Sequence, residues 1–352
     1  MAAGSLGRYR ELRDFHRTPE PSGDGDGAAP VDLPRFVIQQ HDATRLHWDL
    51  RLEHDGVLPS WALPRGVPWS PDDNHLAVHT EDHPLEYLTF SGEIPEGNYG
   101  AGAMFIWDTG TYEVHEWTDR KVVITLHGER ATGRYALFQT RGRDWIIHRM
   151  DPPADPERRP VPADLRPMTA RPGRLPRDQD RFAFEVRWSG QRVLAVSSGG
   201  VVELRDPDGV DVAERYPEVR RVGRAIGSVE VVLDGVVTDP RGGDAVARRA
   251  DVRSDSGWRR LAERAPVTLV AFDLIWLDGH PVTDLPYENR RRLLEELDLA
   301  GPAWQVPAAH VGDGTALLQA ARAKGLWGLV AKRLDSPYRP GRRSDDWREI
   351  RA

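Results

Sequence analysis

The stretch HDATRLHWDLRLEHDG, residues 41–56, holds three histidines, four acids and two arginines. Read as a β-strand, it sends His47, Asp49 and Arg51 to one face and Trp48, Leu50 and Leu52 to the other. One face then carries an imidazole, a carboxylate and a guanidinium in line. His41, His47 and Asp49 form an H-x5-H-x-D array. Two neutral imidazoles and a carboxylate are a ligand set for Mn²⁺, Zn²⁺ or Fe²⁺ that leaves positions for water or substrate. A tight turn before the strand would fold His41 back towards His47, so that the three share one cation. The residue types leave a second reading open, a solvated charged strand, because that also alternates polar with apolar. Further on, EDHPLEY sets His83 four residues before Tyr87 beside a proline, and IPEGNYGAG supplies a loop where backbone can approach a ligand closely. Glu53, His54 and Asp55 read as a hairpin end closing at Gly56, with no catalytic part.

The elements that must position these residues follow from pattern. From 33 to 151 the chain runs in short alternating segments such as RFVIQQ, HWDLRLE, HLAVHT, AMFIWD, KVVITLHG, RYALFQT and DWIIHRM, broken by Gly and Pro. These predict an all-β small barrel or sandwich. Residues 1–32 are polar, then Gly/Asp-rich, and read as a flexible N-terminal segment. Residues 152–178 are dense in Pro and Arg and read as an interdomain linker. From 179 to 352, strands such as RFAFEVRW and VTLVAFDLIWL mix with helical stretches near 287–298 and 315–324, which predicts an α+β domain. Two domains fit 352 residues. His79, His115, His127 and His148 read as structural or surface residues, and Trp48, Trp61 and Trp107 as core. Tyr99, in the Gly-rich loop, is a candidate base-stacking ring.

With no cysteine, disulfides and thiolate metal sites are excluded. A net charge of −7 argues against a nucleic-acid coat protein and still allows a locally basic groove. There is no run of 18 apolar residues and no basic-then-apolar leader. The expected setting is the cytoplasm, at the nucleoid when acting on DNA, with no membrane partner. Lysine is confined to Lys121, Lys324 and Lys332.

The run FVIQQHDATRLHWDLRLEHDGVLPSWALPRG, followed by LAVHTEDHPLEYLTFSGEIPEGNYGAG and IWDTGTYE, closely resembles the 3′-phosphoesterase domain of bacterial ATP-dependent DNA ligase D. The lead-in YRELRDFHRTPEP fits as well, so the likeness spans about 9–151. It implies a small β-barrel that trims 3′ ends of DNA breaks, removing a terminal ribonucleotide and then a 3′-phosphate, with Mn²⁺ as the usual metal and Co²⁺ or Zn²⁺ as substitutes. It makes His41, His47 and Asp49 the metal ligands, places Arg51 and His83 on the scissile phosphate and sets Tyr87 beside them. His83 is then a general acid or a transition-state stabiliser. Arg65 falls at a basic position of the family. His75 falls where an arginine is expected, and would hold phosphate more weakly near neutral pH.

The second half resembles the adenylation (nucleotidyltransferase) domain of ATP-dependent DNA ligases over about 166–352. FEVRWSGQRVLAV follows the motif E-x-K-x-D-G-x-R, and LDGVV, FDLIWLDG and GLWGLVAKRLDSPYRPGRRSDDWREIR come in order. It departs at decisive positions. Arg187 stands for the nucleophilic lysine, Ser189 for an aspartate, and Val236 and Trp327 for two metal-facing glutamates. Lys332 matches a later lysine that contacts phosphate. The ending WREIR carries arginine at its last position, and no OB-fold domain is expected. The expectation is therefore a degenerate ligase domain that does not bind ATP covalently, with Arg342, Arg343, Trp347 and Arg351 as a basic, aromatic edge. The function expected is metal-dependent processing of DNA 3′ ends, including ribonucleotide ends, beside end-joining proteins such as Ku or a separate polymerase or ligase. A non-catalytic DNA-end or repair scaffold is the alternative, and an active ligase a further one.

Overall fold

From Arg35 to Arg149 each short alternating run is a strand. The computed structural model describes residues 6–23, 33–43, 46–95, 97–227 and 229–352. The first half contains β1 (Arg35–Asp42), β2 (Leu46–Leu52), β3 (Ser60–Leu63), β4 (Asn74–His79), β5 (Gly92–Ile94), β6 (Gly102–Thr118), β7 (Lys121–Gly128), β8 (Thr132–Arg141) and β9 (Asp144–Arg149). Antiparallel ladders join them in the order β1-β2-β3-β4-β9-β8-β7-β6, and β6 pairs back onto β1. This closes an eight-stranded barrel, with β5 added along β6. The interior takes every second residue, among them Phe36, Ile38, Trp48, Leu50, Leu52, Trp61, Leu63, Ile124, Leu137 and Ile147. An eight-stranded barrel leaves room for side chains alone when they are this large. Each fully buried Leu or Ile there contributes about 1.5–3 kcal/mol relative to exposure.

Alternation then puts Val37, Gln39 and His41 of β1 and His47, Asp49 and Arg51 of β2 on the outer wall. That wall is covered. Tyr9, Val37, Leu58, Tyr87, Leu88, Ile94 and Met104 form a separate apolar cluster. They bring together the short helix Gly7–Glu11, the 3₁₀ turn Leu85–Thr89 and β5. The N-terminal segment expected to be flexible is therefore corrected for residues 6–23: Tyr9 is fully buried and Thr18 and Glu20 are buried. Its polarity misleads because Arg13 and Glu20 neutralise each other at 2.7 Å. Residues 1–5 and 24–32 of that expectation lie outside the described residues.

The chain divides into two compact units, Met1–Pro156 and Glu157–Ala352. The expected linker over 152–178 is corrected in part. Met168 is fully buried, and strand Thr169–Pro172 pairs in parallel with Arg343–Arg351 at the edge of a five-stranded sheet. Proline is tolerated at an edge, so its abundance did not preclude a strand. The second unit is α+β. Val231–Thr238 and Thr268–Leu277 pair in a larger sheet, and helices Tyr287–Glu296 and Gly314–Ala323 contact Thr268–Leu277 and Gly328–Arg333 respectively. Trp347 does not sit on an exposed edge: it is buried with Met168, Phe272 and Tyr338, and only Arg342, Arg343 and Arg351 remain exposed. Among the described residues no helix is long and apolar enough to cross a membrane.

Candidate active site

The β1–β2 hairpin sets His41 directly opposite His47, and Gln39 opposite Asp49. The two imidazole rings are 4.7 Å apart. His41 Nδ1 lies 3.6 Å from Asp49 Oδ2, and His47 Nε2 lies 3.7 Å from Asp49 Oδ1. One ligand atom from each of the three residues falls within 4.8 Å of the others. His41 Nε2 donates to the Gly100 carbonyl at 2.9 Å, which leaves Nδ1 as the ring nitrogen turned to Asp49. Burial opposes ionisation of Asp49, but the Arg51 guanidinium and the neighbouring His41 and His47 hold its carboxyl well below the usual carboxylate range. Two imidazoles and an ionised carboxylate suit a divalent cation.

Arg51 is 2% exposed and held on three sides. It donates from Nη2 to Asp49 Oδ2 at 2.9 Å, from Nε to Gln39 Oε1 at 2.7 Å and from Nη1 to Ser60 Oγ at 3.0 Å. Gln39 is anchored in turn through Nε2 to the carbonyls of Tyr87 and Phe90. The guanidinium lies over the Tyr87 ring, 4.8 Å from its centre.

His83 Nδ1 is 2.8 Å from the Glu81 carbonyl and its Nε2 is 3.3 Å from Arg13 Nη2. A carbonyl requires a donor and a guanidinium an acceptor, so the ring is neutral with its proton on Nδ1. Burial and the charges of Arg51 and Arg13 push its pKa well below the ordinary value. Of the two roles left open for His83, general acid or transition-state stabiliser, this geometry favours the second, because Nε2 carries no proton to give. Arg13 is bound to Glu20 (2.7 Å) and Glu81 (3.0 Å), and Tyr87 donates its hydroxyl to Glu20. Burial raises the Tyr87 hydroxyl, so it stays protonated.

These groups line one cavity of about 190 Å³, with Arg13, Glu20, His41, His47, Asp49, Arg51, His83, Tyr87 and Tyr99 on its walls. Arg65 and His75 are not among the lining residues. His75 is buried, its Nδ1 is bound to the Gly66 carbonyl at 2.8 Å, and burial lowers its pKa, while Arg65 is exposed beside it. Neither therefore borders the cavity that holds His41, His47, Asp49 and Arg51. Glu53 pairs with Arg35 at 2.7 Å, His54 stacks on Trp117, and Asp55 and Gly56 make the turn at positive φ. Sequence reasoning missed Arg13, Glu20, Gln39, Ser60 and Glu81. The signal for the first two was an arginine and a glutamate within a lead-in that carries two aromatic residues able to anchor it, Tyr9 and Phe15.

In the second unit Arg187, Ser189 and Val236 do share a cavity, of about 310 Å³. The Arg187 guanidinium lies 4.3 Å from the Trp327 ring centre, with Ser189 Oγ at 3.3 Å and Glu349 Oε1 at 3.4 Å. Lys332 borders the cavity but is 1% exposed. Its Nζ is 2.9 Å from Glu185 Oε1, donates to the Phe272 carbonyl at 2.7 Å, and sits under the rings of Phe272, Tyr287 and Trp347. Burial lowers its pKa although Glu185 opposes this. Its ammonium is thus engaged by an internal ion pair and a backbone carbonyl at the wall of that cavity.

A family profile described as "DNA Ligase D 3'-phosphoesterase domain" matches residues 39–139, and one described as "ATP dependent DNA ligase domain" matches 167–350. The "Multifunctional non-homologous end joining protein LigD" of Mycolicibacterium smegmatis is 40% identical over 364 residues, covering 98% of this chain. The chain belongs to the DNA ligase D family. A second ligase D relative, the "Multifunctional non-homologous end joining DNA repair protein LigD" of Mycobacterium tuberculosis, is 43% identical over 354 residues and likewise covers 98% of the chain. The chain spans about 45% of the length of each of these relatives. A solved structure, "mycobacterial DNA ligase D complexed with ATP and MES", matches at 34% identity and a TM-score of 0.45, over 54% of this chain and 60% of its own. This ligase D chain thus joins a phosphoesterase-type barrel to a ligase-type α+β unit.

Proposed function

We propose that the first unit is a metal-dependent phosphoesterase that removes a terminal ribonucleoside, and then the 3′-phosphate, from DNA ends to leave a 3′-hydroxyl. The observation that carries this reading is the meeting of His41, His47 and Asp49 with Arg51 in one cavity. A divalent cation there, Mn²⁺ first with Co²⁺ or Zn²⁺ as substitutes, supplies Lewis-acid polarisation of the phosphoryl group. Asp49 stays ionised to hold it, and the Gly100 carbonyl keeps His41 in the ligating tautomer. Arg51, fixed by Gln39 and Ser60, offers its remaining N–H groups to the phosphoryl oxygens, where charge-assisted bonds are strongest. His83 acts by accepting from Arg13 and so aiming that second cation.

The second unit, on this reading, does not adenylate. A guanidinium cannot become the neutral amine that attacks ATP, so Arg187 has no nucleophile to give. Val236 and Trp327 offer no carboxylate for a metal. The proposed partners are DNA 3′ ends, with Ku or a separate polymerase or ligase completing repair. The test is a primer ending in one 3′-ribonucleotide, with a 2′-deoxy control, incubated with the full chain and Mn²⁺, Co²⁺ or Zn²⁺. Shortening followed by loss of the phosphate is the expected result. No product with any of the metals would refute the reading.

A further inference from the structure

Tyr99 stands at the rim of the barrel cavity with 46% of its surface exposed. Its loop is tied to the site from both sides. The next residue, Gly100, accepts the His41 N–H through its carbonyl, and the Arg13 guanidinium lies 5.5 Å from the Tyr99 ring centre. The same guanidinium lies 3.9 Å from the Tyr9 ring, so Arg13 bridges a buried aromatic and an exposed one. Glycines hold the loop shape. Gly97 and Gly100 have positive φ, and a Cβ on Gly102 would lie 2.2 Å from the Asp42 carbonyl oxygen. The backbone that carries the ring is thus held beside the site, and the ring itself stays half exposed at the cavity mouth.

Size decides what it meets. Pockets that enclose a whole small ligand measure roughly 300–1,000 Å³. This cavity, at about 190 Å³, falls below that range, so it suits a phosphoryl group and a cation without an attached nucleoside. A base on either side of the phosphate must lie at the mouth. We infer that Tyr99 is a stacking platform for a nucleobase flanking the scissile phosphate, a role that rests on the phosphoesterase reading. Stacking tolerates any base, since every base presents a π-face. It would hold a frayed 3′ end out of its duplex without selecting sequence.

The experiment measures binding of the full chain to 3′-ribonucleotide-ended primers by fluorescence anisotropy, with intact Tyr99, Tyr99→Phe and Tyr99→Ala. Three primers are used: normal, abasic at the terminal position, and abasic at the penultimate position. Tyr99→Ala should weaken binding of the normal primer roughly tenfold while Tyr99→Phe matches the parent protein. One abasic primer should erase the difference between parent and Tyr99→Ala, and which one does so identifies the stacked base. In turnover the loss should appear in KM more than in kcat. An equal effect of Tyr99→Ala on all three primers, or no effect on any, overturns the assignment. Absence of turnover in the parent protein would refute the phosphoesterase reading and still leave the binding comparison to decide the role of Tyr99.

Discussion

Arg13 Nη2 lies 3.3 Å from His83 Nε2, the nitrogen that the Glu81 carbonyl leaves without a proton. A residue from the N-terminal segment thus makes this histidine an acceptor that aims a permanent cation, where the sequence left acid and stabiliser both open. Arg13→Ala is expected to cut 3′-end trimming by about 10²-fold, as for loss of one preorganised donor at a phosphoryl site. Affinity for Mn²⁺ should be unchanged, because His41, His47 and Asp49 are untouched. Glu20 and Glu81 would be left buried without their cation, so the barrel should lose about 3–5 kcal/mol in urea unfolding. Arg13→Lys keeps the charge and should recover part of that stability.

Stability of the barrel should fall in mild acid. His75 and His79 are held neutral by burial, with pKa values below the ordinary 6.5. In the unfolded chain both take up protons near 6.5, so the unfolded state binds more protons below that pH and stability drops as pH falls from about 6.5. Above it both states are neutral and the contribution is constant. Urea midpoints between pH 7.5 and 5 should decline, and His75→Asn, which keeps an N–H for the Gly66 carbonyl, should flatten the slope. A midpoint that rises on acidification would contradict the assignment.

Restoring the lysine should not restore a ligase. Arg187→Lys supplies an amine but leaves Val236 and Trp327 without carboxylates, and removes the guanidinium stacked on Trp327. Incubation with labelled ATP should give no covalent adduct for the parent or for Arg187→Lys. A labelled band with either protein would show that the cavity still adenylates.

The barrel and its ligand face were legible because strand alternation is local. Trp48, Leu50 and Leu52 could face inward only if His47, Asp49 and Arg51 faced outward, and antiparallel pairing of β1 with β2 sets His41 opposite His47. What escaped was everything that depends on pairing between distant polar residues. Arg13, Glu20 and Glu81 look solvated one at a time, and are buried only because each neutralises another across 7 to 68 positions of chain. The partner of His75 escaped for a related reason: it falls where an arginine is expected, and its side chain turns to the Gly66 carbonyl nine residues away. Lys332 matched by position too, and its burial against Glu185 under three aromatic rings has no local signature.

The central claim, that the working site lies on the outer wall of the barrel and not in the ligase-type cavity, is tested most directly by one rate comparison. Shortening of a ribonucleotide-ended primer in Mn²⁺ is followed for the parent chain, His47→Ala and Arg187→Ala. His47→Ala should abolish shortening by removing an imidazole from the cation, and Arg187→Ala should run at the parent rate. Loss of activity in Arg187→Ala with His47→Ala still active would place the chemistry in the other unit.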